Sequence, residues 1–208
     1  MKLAIIGATG KVGKLVVKEA KERNIDVSAV VRQGGKTGIP EIVKDVYALT
    51  KEDVASFDVV ISALGFVGAD AAYEFEKSTQ HLIQIFSGLE TRLIIVGGAG
   101  SLYVDPAHQL QLKDTPDFPE VYKPFAESQA VQLDTIRNAK NVHWTYLSPA
   151  ADFQADGKRV GSYQVAGEEF TVNQAGQSFI SYADYAIAIV EEAIAGKHKN
   201  ARFSVYQA

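Results

Sequence analysis

Leu3-Ala4-Ile5-Ile6-Gly7-Ala8-Thr9-Gly10-Lys11-Val12-Gly13 is the stretch on which the fold turns. Four apolar residues read as a buried strand. Three glycines follow, with two residues between each and the next. Beyond them Val12, Leu15, Val16 and Ala20 recur at helical spacing. Glycines between a strand and a helix let the chain turn sharply, let a diphosphate approach the backbone, and let the helix lie close to the sheet. The free amides and dipole at the helix start favour an anion. The spacing predicts a dinucleotide cradle of Gly7, Thr9, Gly10, Val12 and Gly13. Lys11 and Lys14 are within reach of phosphates, although solvated lysines are the commoner use of such positions. A tight turn without a ligand would not need three spaced glycines.

Outward from this stretch, apolar runs alternate with helical patterns. Residues 27–31 read as a second strand and 42–46 as a weaker third. A short helix over 51–57 precedes a strand over 58–64. A helix over 70–87, closed by Gly88, leads to a strand over 92–97. A proline-marked loop and a helix over 120–138 precede a strand over 142–147. From 151 to 177 spaced glycines predict loops or hairpins. Ser181 and Asp184 resemble a capping box opening a last helix that ends at Gly196, and 202–206 reads as a final strand. The alternation predicts an α/β doubly wound parallel sheet, ordered 3-2-1-4-5-6 with a seventh strand at the edge. Ligands on such sheets bind beyond the carboxyl ends of the strands, at the order reversal beside strand 1. The expectation is one domain over 1–208, with 151–208 contributing the acceptor pocket.

Arg32, at the end of strand 2, supplies the second clue. A site for NAD usually places an acid about 20 residues after the glycines, on the ribose 2′-hydroxyl. A guanidinium there instead suits a 2′-phosphate, so NADP(H) is expected over NAD(H). An arginine merely ending a strand is the plainer alternative.

Composition narrows the classes. The 208 residues are 47% hydrophobic and 22% charged, with a net charge of −4 and no cysteine. The charge argues against non-specific nucleic-acid binding, and the lack of cysteine excludes disulfides and thiolate chemistry. No apolar run has the length of a membrane span, and residues 3–6 are too few for a secretory core. A soluble cytoplasmic protein is expected. Four scattered histidines give no metal motif. The pairs Glu168-Glu169 and Glu191-Glu192 read as surface charge. Neither a nucleophile elbow nor a P-loop is present.

The chain resembles the atypical short-chain dehydrogenase/reductase group of NAD(P)H-binding proteins, which includes flavin-reductase-like, biliverdin-reductase-B-like and nitrogen-metabolite-repressor-like members. The carriers are Gly7-Ala8-Thr9-Gly10-x-x-Gly13, Arg32, Asp45-Val46, Ile61-Ser62-Ala63-Leu64-Gly65 and Gly97-Gly98-Ala99-Gly100-Ser101-Leu102. Trp144-Thr145-x-x-Ser148-Pro149 and Ile180-Ser181-x-x-Asp184-Tyr185-Ala186 extend the likeness. The likeness is greatest to bacterial NADH–flavin reductases and implies a Rossmann fold. It also implies that Asp45 and Val46 border the adenine and that Ala63, Leu64 and Gly65 run under its ribose. Gly97, Gly98, Ser148, Pro149 and Ala150 would flank the nicotinamide.

One departure bears on chemistry. Ordinary members use Tyr-x-x-x-Lys, where the lysine lowers the tyrosine pKa for proton transfer to a carbonyl oxygen. Here Tyr122 is followed by Lys123, and the lysine position holds Ala126. Flavins and quinones need less help, because their delocalised products take a proton from water. The expected function is therefore hydride transfer from NADPH to a planar acceptor. FMN or FAD would serve as substrate rather than prosthetic group. Tyr103, Tyr122, Phe125 and Phe153 are candidate walls. The catalytic residue stays unassigned, with Ser101, Tyr103 and Tyr122 as candidates. A non-catalytic redox sensor, or an epimerase or dehydratase of nucleotide sugars, remains as an alternative. A homodimer is compatible with the sequence.

Overall fold

The structure is a computed structural model and describes residues 1–68 and 70–208. Its strands are β1 (Lys2–Ile6), β2 (Asp26–Val31), β3 (Glu41–Val43), β4 (Val59–Ser62), β5 (Arg92–Val96), β6 (Trp144–Ser148), β7 (Asp152–Gln154), β8 (Gln164–Ala166), β9 (Phe179–Ser181) and β10 (Ala201–Tyr206). Its α-helices are α1 (Lys11–Glu22), α2 (Lys51–Val54), α3 (Ala71–Phe86), α4 (Lys123–Arg137) and α5 (Tyr182–Ala195). The main sheet runs β3-β2-β1-β4-β5-β6-β10-β8, with β8 alone antiparallel. The expected 3-2-1-4-5-6 order holds, and the order reverses beside β1.

Why the central strands are apolar throughout follows from their two covered faces. Side chains alternate along a strand. Leu3, Ile5, Ala29, Ile61 and Ile94 bury one face against Val16 and Val17 of α1 and Ile189 and Val190 of α5. Ala4, Ile6, Val60, Leu93 and Ile95 bury the other against Leu82 and Phe86 of α3 and Leu133 and Ile136 of α4. Ile5 sits in register between Ala29 and Ile61, so the layers stack across the sheet.

Several expectations change. The helix expected from 120 begins at Lys123, after a 3-10 turn over Glu120–Tyr122. The 151–177 region is not built of hairpins. Instead β7 pairs in parallel with β9, and β8 extends the main sheet beside β10. Ser181 does cap α5, accepting the Asp184 N–H at 3.0 Å. Asp184 does not complete the box. Its carboxylate accepts the Val160 and Gly161 amides and the Ser181 hydroxyl.

Two acids read as surface charge are tied into the fold, one buried and one half-buried. Glu192 is buried, with Oε1 2.8 Å from Arg92 Nη1 and Oε2 2.8 Å from His198 Nδ1. Arg92 Nη2 also donates to the Ala193 carbonyl in the last turn of α5 and to the Glu192 carbonyl, which accepts the Gly196 N–H as well. Glu168 binds Arg202 and, at 2.6 Å, Arg137. Among the described residues no helix is long and apolar enough to cross a membrane.

Candidate dinucleotide site

The turn after β1 shows why glycine is needed there. Gly7 has φ +78, and a Cβ on it would lie 2.7 Å from the Ala63 carbonyl oxygen. A Cβ on Gly13 would lie 2.2 Å from the Gly7 carbonyl oxygen, so α1 rests directly on the turn. Gly10 caps α1 without a side-chain bond, and no acid stands in the first helical turn. The leading amides therefore keep their partial positive charge uncontested by any side chain of the first turn. Thr9, Gly10 and Lys11 are exposed around this turn, while Val12 packs half-buried on the core. Ala63 donates its N–H to the Ile6 carbonyl at 2.9 Å, which brings the Ala63-Leu64-Gly65 segment against the same turn.

Thr9, Val31, Arg32, Gln33 and Lys36 line one cleft of about 360 Å³. That volume lies in the range of small-ligand sites. The structure thus joins Thr9 of the first turn to Arg32 at the end of β2 and adds Lys36, a cation not singled out from the sequence. Two cations and a hydroxyl therefore share one cleft beside the glycine turn. Just past the end of β3, Asp45 accepts the Tyr47 N–H at 3.0 Å and caps a 3-10 turn. Val46 is buried among Ile6, Val30 and Val60.

Farther along the carboxyl edge, Gly97 and Gly98 owe their lack of a side chain to packing. A Cβ on Gly97 would stand 2.0 Å from the Tyr146 ring, and one on Gly98 1.8 Å from Gln129 Oε1. Ser148, Pro149 and Ala150 are buried where β6 ends. Burial raises the Tyr146 phenol far above its ordinary range, so this ring is a packing element rather than an acid.

The candidate catalysts do not come together. Ser101 is buried, and its carbonyl accepts from Arg202 at 3.2 Å. Tyr103 stacks on His108, centroids 4.5 Å apart and nearly coplanar, beside Arg202. Tyr122 is exposed where α4 begins, and Lys123 pairs with Glu120 at 2.7 Å. Ala126 is buried, its methyl 2.6 Å from where a Gly100 Cβ would be, so α4 lies close against the Gly100 backbone. Of the aromatic walls, Phe125 is exposed and meets Phe75 edge-on at 5.7 Å, and Phe75 in turn meets Phe66 at 5.1 Å. Phe153 is instead held against Tyr182 and Tyr185.

A reversal of strand order beside β1, a glycine turn under a helix N-terminus and a cationic cleft at the end of β2 define a Rossmann-type dinucleotide-binding protein. The sequence profile described as NAD(P)H-binding matches residues 7–193, and the chain belongs to that family. It is 44% identical over 208 residues to the uncharacterized Bacillus subtilis protein YwnB, covering 99% of this chain and 98% of that one. A Streptococcus pneumoniae crystal structure described as "a putative NADH-flavin reductase" is 47% identical, with both chains fully covered and a TM-score of 0.97. The Escherichia coli anaerobilin reductase ChuY shares the fold at 19% identity, covering 100% of this chain and 97% of that chain, with a TM-score of 0.70.

Proposed function

We propose that this chain is an NAD(P)H-dependent oxidoreductase that prefers NADPH and reduces a free planar acceptor, a flavin or a quinone. The observation that carries the reading is the cleft in which Thr9, Arg32 and Lys36 converge beside the glycine turn. Gly7, Gly10 and Gly13 shape the turn, and the leading amides of α1 offset the diphosphate charge. Arg32 and Lys36 hold the 2′-phosphate, which a carboxylate there would repel. Asp45 and Val46 lie toward the adenine. Ala63, Leu64 and Gly65 run under its ribose, and Gly97, Gly98, Ser148, Pro149 and Ala150 flank the nicotinamide. When bound, the reduced nicotinamide supplies a hydride.

The acceptor class follows from what the site lacks and from what it exposes. With Ala126 in place of a lysine, the Tyr-x-x-x-Lys pair that passes a proton to a carbonyl oxygen is incomplete. Tyr122 and Phe125 offer flat apolar surface at the start of α4, suited to stacking a conjugated ring. The pneumococcal relative's description points to flavin and also to NADH. The charges at Arg32 and Lys36 favour NADPH in this chain.

The test is absorbance-monitored oxidation of NADPH and NADH with FMN and with menadione. Turnover with NADPH as the better donor is expected. Arg32→Glu should shift the NADPH/NADH ratio of kcat/KM toward NADH by about ten- to a hundredfold, the worth of one charge-assisted contact. An unchanged ratio removes the 2′-phosphate role. Tight binding without turnover of any acceptor would point to a redox sensor.

A further inference from the structure

The loop between β2 and β3 carries Arg32, Gln33 and Lys36 to the cleft, and an acid from β3 holds it in shape. Glu41 turns its carboxylate back into the loop. Oε2 accepts the Gly35 N–H at 2.5 Å. Oε1 accepts the Lys36 N–H at 3.1 Å, the Thr37 N–H at 2.9 Å and the Thr37 hydroxyl at 2.6 Å. A carboxylate has about four lone-pair sites, so these four donors nearly saturate it. Lys36 is the middle residue of the clamped triplet. Its Nζ donates to Gln33 Oε1 at 2.8 Å, and Lys36, Gln33 and Arg32 line the same cleft.

An unengaged carboxylate this close to a phosphate site would repel the ligand. Glu41 spends its charge on amides of the loop instead. We propose that Glu41 is a positioning residue for the 2′-phosphate subsite, clamping the Gly35–Thr37 turn so that Lys36 and Arg32 meet the same phosphate. This rests on the NADPH reading above. Four donors on a fixed anion pre-pay the ordering of a loop that glycines would otherwise leave free. The bond from the Thr37 hydroxyl and the amide of Gly35 hold the Glu41 carboxyl down at about 2. The clamp therefore stays charged at any working pH.

The probes are 2′,5′-ADP, which carries the 2′-phosphate, and 5′-AMP, which does not. Calorimetric titration of the full chain measures both. Arg32→Ala establishes the subsite by weakening 2′,5′-ADP alone. Glu41→Gln puts an amide where the loop needs an acceptor. It should weaken 2′,5′-ADP about tenfold, the scale of one lost charge-assisted bond, and 5′-AMP less than twofold. Thr37→Val should act in the same direction by a smaller factor, and it carries the test if Glu41→Gln does not fold. Equal weakening of both probes would reduce Glu41 to a general structural role and overturn the proposal. So would an unchanged 2′,5′-ADP affinity in Glu41→Gln while Arg32→Ala is impaired. If Arg32→Ala is itself without effect, the 2′-phosphate reading falls and the clamp falls with it.

Discussion

Gly13 has no space for a methyl group. Its Cβ would meet the Gly7 carbonyl oxygen at 2.2 Å, and both atoms are held by backbone, one in α1 and one in the turn. Neither can give without moving the cradle. Gly13→Ala should therefore lower stability by about 1–3 kcal/mol, as overpacking does, and should weaken NADPH binding as well. Urea denaturation with an unchanged m-value checks the first part and titration the second. An alanine variant as stable and as tight as the parent would mean that α1 does not rest on the turn as described. Burial makes the opposite demand at Glu192. Removing it leaves Arg92 buried without its partner. Glu192→Ala is expected to cost about 3–5 kcal/mol, whereas Glu22→Ala, from an exposed pair with Lys18, should cost less than about 1 kcal/mol.

Among the elements, the 155–163 segment is held by few but well-placed bonds. Asp184, buried at the start of α5, gathers the Val160 and Gly161 amides and the Ser181 hydroxyl. Arg159 reaches Glu19 of α1 at 3.0 Å, and the Tyr163 hydroxyl reaches Glu191 at 2.6 Å. Asp184→Ala should lose about 1.5–3 kcal/mol, the scale for bonds to a charged acceptor. It should also expose residues 155–163 to limited proteolysis before the core opens. Resistance equal to that of the parent would place the anchorage elsewhere. This part of the chain was the least legible in the sequence. Strands β1, β4 and β5 announce themselves because burial on both faces makes them largely apolar, and the glycine spacing marks the turn between β1 and α1. The roles of Asp184, Glu168 and Glu192 depend on partners far along the chain. Arg92 and Glu192 are 100 positions apart, and no local pattern links them. The glycines at 97 and 98 likewise carry no sequence sign that Tyr146 and Gln129 fill the space beside them. Lys36 sits in a loop whose curl only its hydrogen bonds to Glu41 of β3 reveal.

At the scale of the molecule, acid sensitivity follows from the carboxylates tied across elements. Burial alone would raise the Glu168 carboxyl, but its bonds to Arg202 and Arg137 outweigh that and hold it below its ordinary value. A folded pKa below the unfolded value of about 4.3 means stability is present above that value and is lost as pH falls through the folded one. Glu41 adds to the same limb, losing its contribution between about 4.3 and about 2. Stability against urea should therefore decline below about pH 4.5, and Glu168→Gln should flatten that decline while lowering the plateau. A variant with the same acid limb as the parent would remove Glu168 from this role.

The most direct measurement is thermal unfolding of the purified chain with NADPH, with NADH and with neither. A ligand at a hundred times its Kd adds about 2.7 kcal/mol to the native state. NADPH should raise Tm at lower concentration than NADH does, and Arg32→Glu should reverse that order. No shift with either nucleotide would contradict the assignment of the Gly7–Gly13 turn as a diphosphate cradle.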